Sequence, residues 1–202
     1  MKSGPDAFYP EEYTQMKSLL CLFVMVSLAH GALAHSTQAA SQAGAGSTDN
    51  QEATKKLGAF IGKWESTGTF AETKFSQAHK VSSTIECRWS PQGNFLVCEQ
   101  SITDGAEKLV QLSIYSYNSK EGNYTITSMS GPGQQPFNGT VIIRGSLWTY
   151  PGGFERDGKK IEIRTTNDFA VAGTEIFKTE FSEDGGSHWT TMLQGTSRKI
   201  AG

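Results

Sequence analysis

The feature that most constrains this chain is a rhythm. From residue 63 onward, glycine or another turn-forming residue returns roughly every eight to twelve positions, the spacing of many short strands rather than of helices. The stretches between carry β-branched and aromatic residues in alternation, as half-buried strands do. Ten segments result: 63–71, 81–89, 95–102, 108–117, 123–129, 137–144, 147–151, 160–166, 174–181 and 188–197. Each has the usual length of a strand. Short connections favour an antiparallel up-and-down meander, and such a meander escapes exposed edges by closing into a β-barrel. A two-sheet sandwich is the alternative. A short helix over 51–60, with Leu57, Phe60 and Ile61 turned inward, is expected to plug one end.

Ahead of the barrel stands an export signal. Met16-Lys17-Ser18 precedes an apolar run over 19–28, and Ala32-Leu33-Ala34 supplies the small-x-small pattern for cleavage after Ala34. Ala29-His30-Gly31 is a second cleavage candidate. A membrane span needs about 20 apolar residues, so no integral membrane segment is expected after cleavage. The protein is expected to be secreted or periplasmic. Residues 1–15 carry Asp6, Glu11 and Glu12 against Lys2, the wrong sign for a signal peptide's start, so translation is expected to begin at Met16. Residues 35–52 are small and polar and read as a flexible linker. Residues 53–202 form a single domain, large enough for a full core.

Charge excludes some partners. Setting aside Lys2 and Lys17, and Asp6, Glu11 and Glu12, leaves 16 basic against 17 acidic residues, scattered singly. With no basic stripe, neither nucleic acid nor an anionic membrane surface is an expected partner. Cleavage of the signal removes Cys21 and leaves Cys87 and Cys98, an even pair in an oxidising compartment. A two-residue turn at Gln92-Gly93 would set residue 89 opposite 96 and 87 opposite 98, so a disulfide across this hairpin is expected.

The first strand opens with Gly62-Lys63-Trp64, and the last ends with Arg198-Lys199. Gly-x-Trp first and Arg last resembles the calycin or lipocalin-like barrels. In a closed barrel the first and last strands are neighbours, so Arg198 is expected to stack on the Trp64 indole, with Gly62 allowing close approach. The chain also carries Leu57-x-x-Phe60-Ile61-Gly62-x-Trp64, the hairpin Trp89-Ser90-x-x-Gly93-x-Phe95-Leu96, Asp184-Gly185-Gly186-x-x-Trp189, and the closing Gly195-Thr196-x-Arg198-Lys199. Together these resemble a family of small secreted bacterial barrels catalogued as a domain of unknown function. That resemblance implies a calycin-like barrel and no catalytic residue.

Two motifs invite sharper readings. Ser182-Glu183-Asp184-Gly185-Gly186-Ser187-His188-Trp189 resembles the Asp-box of sialidases and other propellers. A propeller needs several copies and this chain has one, so a capped hairpin turn is the plainer expectation. Leu57-x-x-Phe60-Ile61-Gly62-x-Trp64-Glu65-x-x-Gly68 resembles nitrobindin-type ferric haem barrels, in which a histidine from a late strand ligates iron. His188 is the candidate ligand under that alternative; otherwise no cofactor is expected. No His/Cys/Asp cluster has zinc spacing, and no Gly-x-Ser-x-Gly elbow is present.

Alternation assigns part of the interior. Lys178 and Glu180 mark the outer face of the strand over 174–181, which turns Glu175, Phe177 and Phe181 inward. Over 108–117 both faces are half polar, and alternation does not choose between them. Trp64, Tyr115, Tyr117, Glu175, Phe177 and Phe181 are the candidate ligand-lining residues. A mixed interior suits a small apolar or amphipathic molecule, and equally a filled core. The expected function is a non-enzymatic binding barrel. The alternatives are a haem or nitric-oxide-handling barrel using His188, or a hydrolase or isomerase with Glu175 or Glu65 at the barrel mouth.

Overall fold

A computed structural model of the protein describes residues 47–131 and 134–201. The export signal and most of the expected linker lie outside the described residues. The last linker residues do not form a tether: helix α1 spans Ser47–Lys56 and tightens into a 3-10 turn over Leu57–Phe60. Ser, Thr, Asp and Asn are the residue types that favour a helix start, and this segment opens with all of them.

Ten strands follow: β1 (Gly62–Phe70), β2 (His79–Trp89), β3 (Leu96–Asp104), β4 (Glu107–Asn118), β5 (Asn123–Met129), β6 (Phe137–Arg144), β7 (Leu147–Arg156), β8 (Lys159–Asp168), β9 (Thr174–Ser182) and β10 (Thr190–Ile200). Every neighbouring pair is antiparallel, and β1 pairs with both β2 and β10, so the sheet closes into an up-and-down barrel. β7 runs on past Pro151 to Arg156, beyond its expected end. β10 begins after His188, which lies in the preceding turn.

On β1, Trp64, Ser66 and Phe70 point inward while Lys63, Glu65, Thr67 and Thr69 face water. This period of two decides the fold's solvent face, and the outer positions are those that suit water. Two apolar clusters fill the barrel ends. At the base, beside α1, Leu57 and Phe60 pack with Trp64, Tyr115, Tyr124 and Trp148. The Phe60 ring stands edge-on to Phe169 at 4.9 Å and lies 5.5 Å from Trp148. Tyr124 Oη donates to the Ala53 carbonyl at 3.0 Å and ties α1 to the wall. At the opposite end, the rim, Phe70, Ile161, Phe181 and Met192 form the second cluster. Phe75, from the β1–β2 loop, caps it edge-on to Phe181 at 4.7 Å. Phe75 lies in a loop, outside the strand periodicity that marks inward residues in the sequence.

The hairpin register is the expected one, with Trp89 opposite Leu96 and Cys87 opposite Cys98, and the two cysteines are joined in a disulfide on the inner wall.

Barrel closure corrects one expectation. Arg198 does not stack on Trp64. It stands opposite Glu65 on the outer face, whereas Trp64 stands opposite Lys199, whose Nζ lies 5.8 Å from the centre of the indole ring. The cause is a β-bulge. The β9–β10 register shifts between Thr191 and Leu193, so Met192 and Leu193 both lie on the inner side and every later residue changes face. Counted evenly from Met192, Arg198 would point inward. Gly62 sits at φ 110°, in the region of backbone space that glycine adopts without strain.

The wall is not uniform. β6 and β7 pair only through Ile142–Thr149, Ile143–Trp148 and Arg144–Leu147. Toward the rim the ladder stops, leaving 137–141 of β6 and 150–156 of β7 without ladder partners on their facing sides. Pro151, which has no N–H to donate, is tolerated on a strand with such an open edge.

Candidate ligand-binding cavity

Between the two aromatic clusters lies a cavity of about 230 Å³. Phe60 and Tyr115 form its floor, and Phe70, Ile85, Ile126, Phe137 and Phe177 supply apolar wall. Thr140, Pro151 and Gly152 line it and are also solvent-exposed. These three residues border the open edges of β6 and β7, so the cavity communicates with solvent through this side slot.

The polar groups of the interior form two chains on opposite arcs. On the β2–β5 arc, Gln100 Nε2 donates to Ser83 Oγ at 3.1 Å, Gln111 Nε2 donates to Ser113 Oγ at 3.1 Å, and Ser113 and Ser128 share a hydrogen bond of 2.6 Å. On the β8–β10 and β1 arc, Ser66 Oγ donates to Ser197 Oγ at 2.7 Å, and Ser197 Oγ donates in turn to Glu175 Oε2. The Asn167 side chain lies close enough to the Glu175 carboxyl to favour its charged form. Burial nevertheless dominates: it pushes the Glu175 pKa up to about 7, and the Ser197 and Asn167 donors only partly oppose it.

Of the cavity-lining side chains, two have a buried polar atom with no hydrogen-bond partner among the described residues, Asn167 Oδ1 and Tyr150 Oη. The Tyr150 and Tyr115 phenols are close enough to perturb each other, but their geometry is not that of a hydrogen bond. Burial raises the pKa of both well above the usual tyrosine range, so both hydroxyls stay protonated.

The expected lining residues divide. Tyr115, Glu175 and Phe177 lie on the cavity wall. Trp64, Tyr117 and Phe181 point inward but miss it. Trp64 is held below Phe60, with Nε1 donating to the Phe60 carbonyl at 2.8 Å. Tyr117, at the base end of β4, packs on Tyr124 at 5.1 Å, and Phe181 lies under Phe75 at the rim. Alternation decides inside from outside, but it says nothing of depth along the barrel axis, and depth separates these two groups. Glu65 faces solvent on β1, away from any mouth.

His188 is also displaced from its expected role. Its side chain is 92% exposed, and Nδ1 lies 2.6 Å from Asp184 Oδ2. Asp184 organises this turn, accepting from Ser182 Oγ at 2.8 Å and from the His188 backbone N–H at 2.9 Å. Those donors, led by the His188 backbone, hold its carboxyl far below the usual range. Gly185 and Gly186 supply the positive φ values the turn needs, and Trp189 Nε1 closes it on the Gly186 carbonyl at 2.9 Å. The Asp-box resemblance therefore marks a capped hairpin. Haem does not fit His188: the ring is committed to Asp184 on the solvent side, outside the cavity. Nor is the cavity large enough, since a site of about 150 Å³ takes benzene and a tetrapyrrole is several times larger. Among the described residues, no group of three His, Cys, Asp or Glu side chains is placed to hold a metal ion.

Asn167, Tyr150, Ser66, Ser197 and Gln111 went unidentified in the sequence. Asn167 lies one residue beyond the expected end of its strand, on the same face as Ile161 and Ile163. Tyr150 shares the inward face of Trp148 on β7. Extending each alternation by one step would have found both.

No family model matches the sequence, and no curated protein does. Among solved structures, Rv2717c from M. tuberculosis aligns over 98% of its length and 74% of this chain, at 11% identity and a TM-score of 0.50. The S-type phycobiliprotein lyase CPES from Guillardia theta aligns over 93% of its length and 74% of this chain, at 12% identity and a TM-score of 0.48. The likeness to Rv2717c is one of fold, a calycin-like barrel of ten strands.

Proposed function

We propose that this chain is an exported, non-catalytic barrel that holds one small apolar or amphipathic molecule. The observation that carries the reading is the enclosed aromatic cavity with its own opening through the β6–β7 wall. Pockets of this kind, mostly apolar with a few placed polar groups, are built for small-molecule binding. Among the described lining residues, Glu175 is the only carboxylate and no His, Lys or Arg is present. The cavity is about half again the size of the roughly 150 Å³ site that takes benzene, which sets the scale at a bicyclic ring.

The test is titration of the mature protein with indene, followed by calorimetry and native mass spectrometry. Uptake of one equivalent is expected, with displacement of any molecule carried through purification. A folded protein that purifies empty and takes up no bicyclic probe would sink the reading.

A further inference from the structure

We propose that the ligand is an uncharged bicyclic aromatic bearing one hydrogen-bond donor, a ring N–H or hydroxyl, which it gives to Asn167 Oδ1. This inference rests on the ligand-binding reading above and specifies its chemistry.

The hydrogen bonds on the Glu175 side of the cavity share one direction. Ser66 donates to Ser197 and Ser197 donates to Glu175, so the chain runs toward the carboxyl. Asn167 favours the charged form of that carboxyl, which on its side chain only the amide N–H can do. With its amide nitrogen on the carboxyl's side, its carbonyl oxygen is the acceptor that remains. Asn167 is 9% exposed, and Oδ1 has no hydrogen-bond partner among the described residues. A buried acceptor of this kind is costly to leave unmet, so a ligand that meets it gains more than one that does not. Tyr150 Oη, also buried and unpartnered, is a second contact able to donate or accept.

Charge narrows the class. A fatty acid or other carboxylate would bring its charge into a site that holds Glu175 and, among the described lining residues, no cation. Desolvating an anion there has no compensation. The rings of Phe60, Phe177 and Phe137 around the cavity favour a flat aromatic body. The slot offers a way in that leaves the aromatic ends intact.

The test compares indole with indene, the same shape without the N–H, on the mature protein by calorimetry. Indene leaves water more readily, so in a cavity that reads no donor it binds at least as tightly as indole. We expect the reverse, with indole about tenfold tighter. In Asn167→Leu, checked for its fold by circular dichroism, the order should invert. If indene equals or exceeds indole in the wild-type protein, the donor inference fails while the binding reading stands. If neither binds, both fail. The wild-type comparison decides the matter even if the variant does not fold.

Discussion

Glu175 is 3% exposed on β9, and burial outweighs the donors around it, so that its carboxyl titrates near 7 in the folded chain against 4.5 for an ordinary glutamate. The folded state therefore binds this proton more tightly than the unfolded state. Below about pH 4.5 the group is neutral in both states and costs nothing. Between pH 4.5 and 7 the unfolded chain ionises first and stability falls; above 7 the loss is complete. Glu175→Gln, neutral throughout, should be more stable than wild type by about 3 kcal/mol above pH 7 and no more stable near pH 4. Urea unfolding at pH 4, 6 and 8 checks this, and a difference constant with pH would contradict it. A second contrast concerns barrel closure. Lys199→Ala removes a cation from the Trp64 face and should cost about 0.5–1 kcal/mol. Arg198→Ala, on the outer wall, should stay within about 0.5 kcal/mol of wild type. Equal costs in chemical denaturation would put the closure contact elsewhere.

At the scale of elements, two irregularities shape the interior. The bulge at Met192 reverses the faces of the last turnless stretch of β10. It brings Ser197 to Glu175 and leaves Gly195 opposite Gly68, where the Phe177 ring lies within 3.1 Å of a β-carbon placed on Gly68. The early end of the β6–β7 ladder opens the slot. Gly152 borders that slot on the inward face of β7, and a β-carbon placed there would meet nothing within 4 Å. Gly152→Leu should therefore fold normally yet fill the entrance, slowing association of indene or indole by about tenfold or more in stopped-flow measurements. An unchanged association rate with intact folding would mean that the ligand enters by another route. Elements with regular alternation and clear turns were legible in the sequence: β5 and β6 have the expected bounds, and the cysteine hairpin has the expected register. The slot was not legible, because which strands stop pairing depends on the diverging paths of two strands and not on the composition of either.

For the whole molecule, closure joins β1 to β10 across the full length of the chain, and the aromatic plugs at both ends divide the interior into base, cavity and rim. A chain started at Met16 should be secreted and processed after Ala34, with no free thiol in the mature protein because Cys87 and Cys98 are joined. N-terminal sequencing and a thiol assay on unfolded, unreduced protein check both; secretion only from a Met1 start would contradict the first. The sequence by itself determined the strand count, the antiparallel meander, the inward face of β9 and the disulfide partners. These follow from local periodicity and turn chemistry, which act over a few residues. Tertiary structure alone decided whether the interior was filled or hollow, and at what depth each inward side chain sits. It also decided that Lys199 rather than Arg198 meets Trp64, and that Asn167 keeps a free acceptor. Those outcomes depend on strand register, a bulge and barrel curvature, which sum over the closed wall and leave no trace in any one segment.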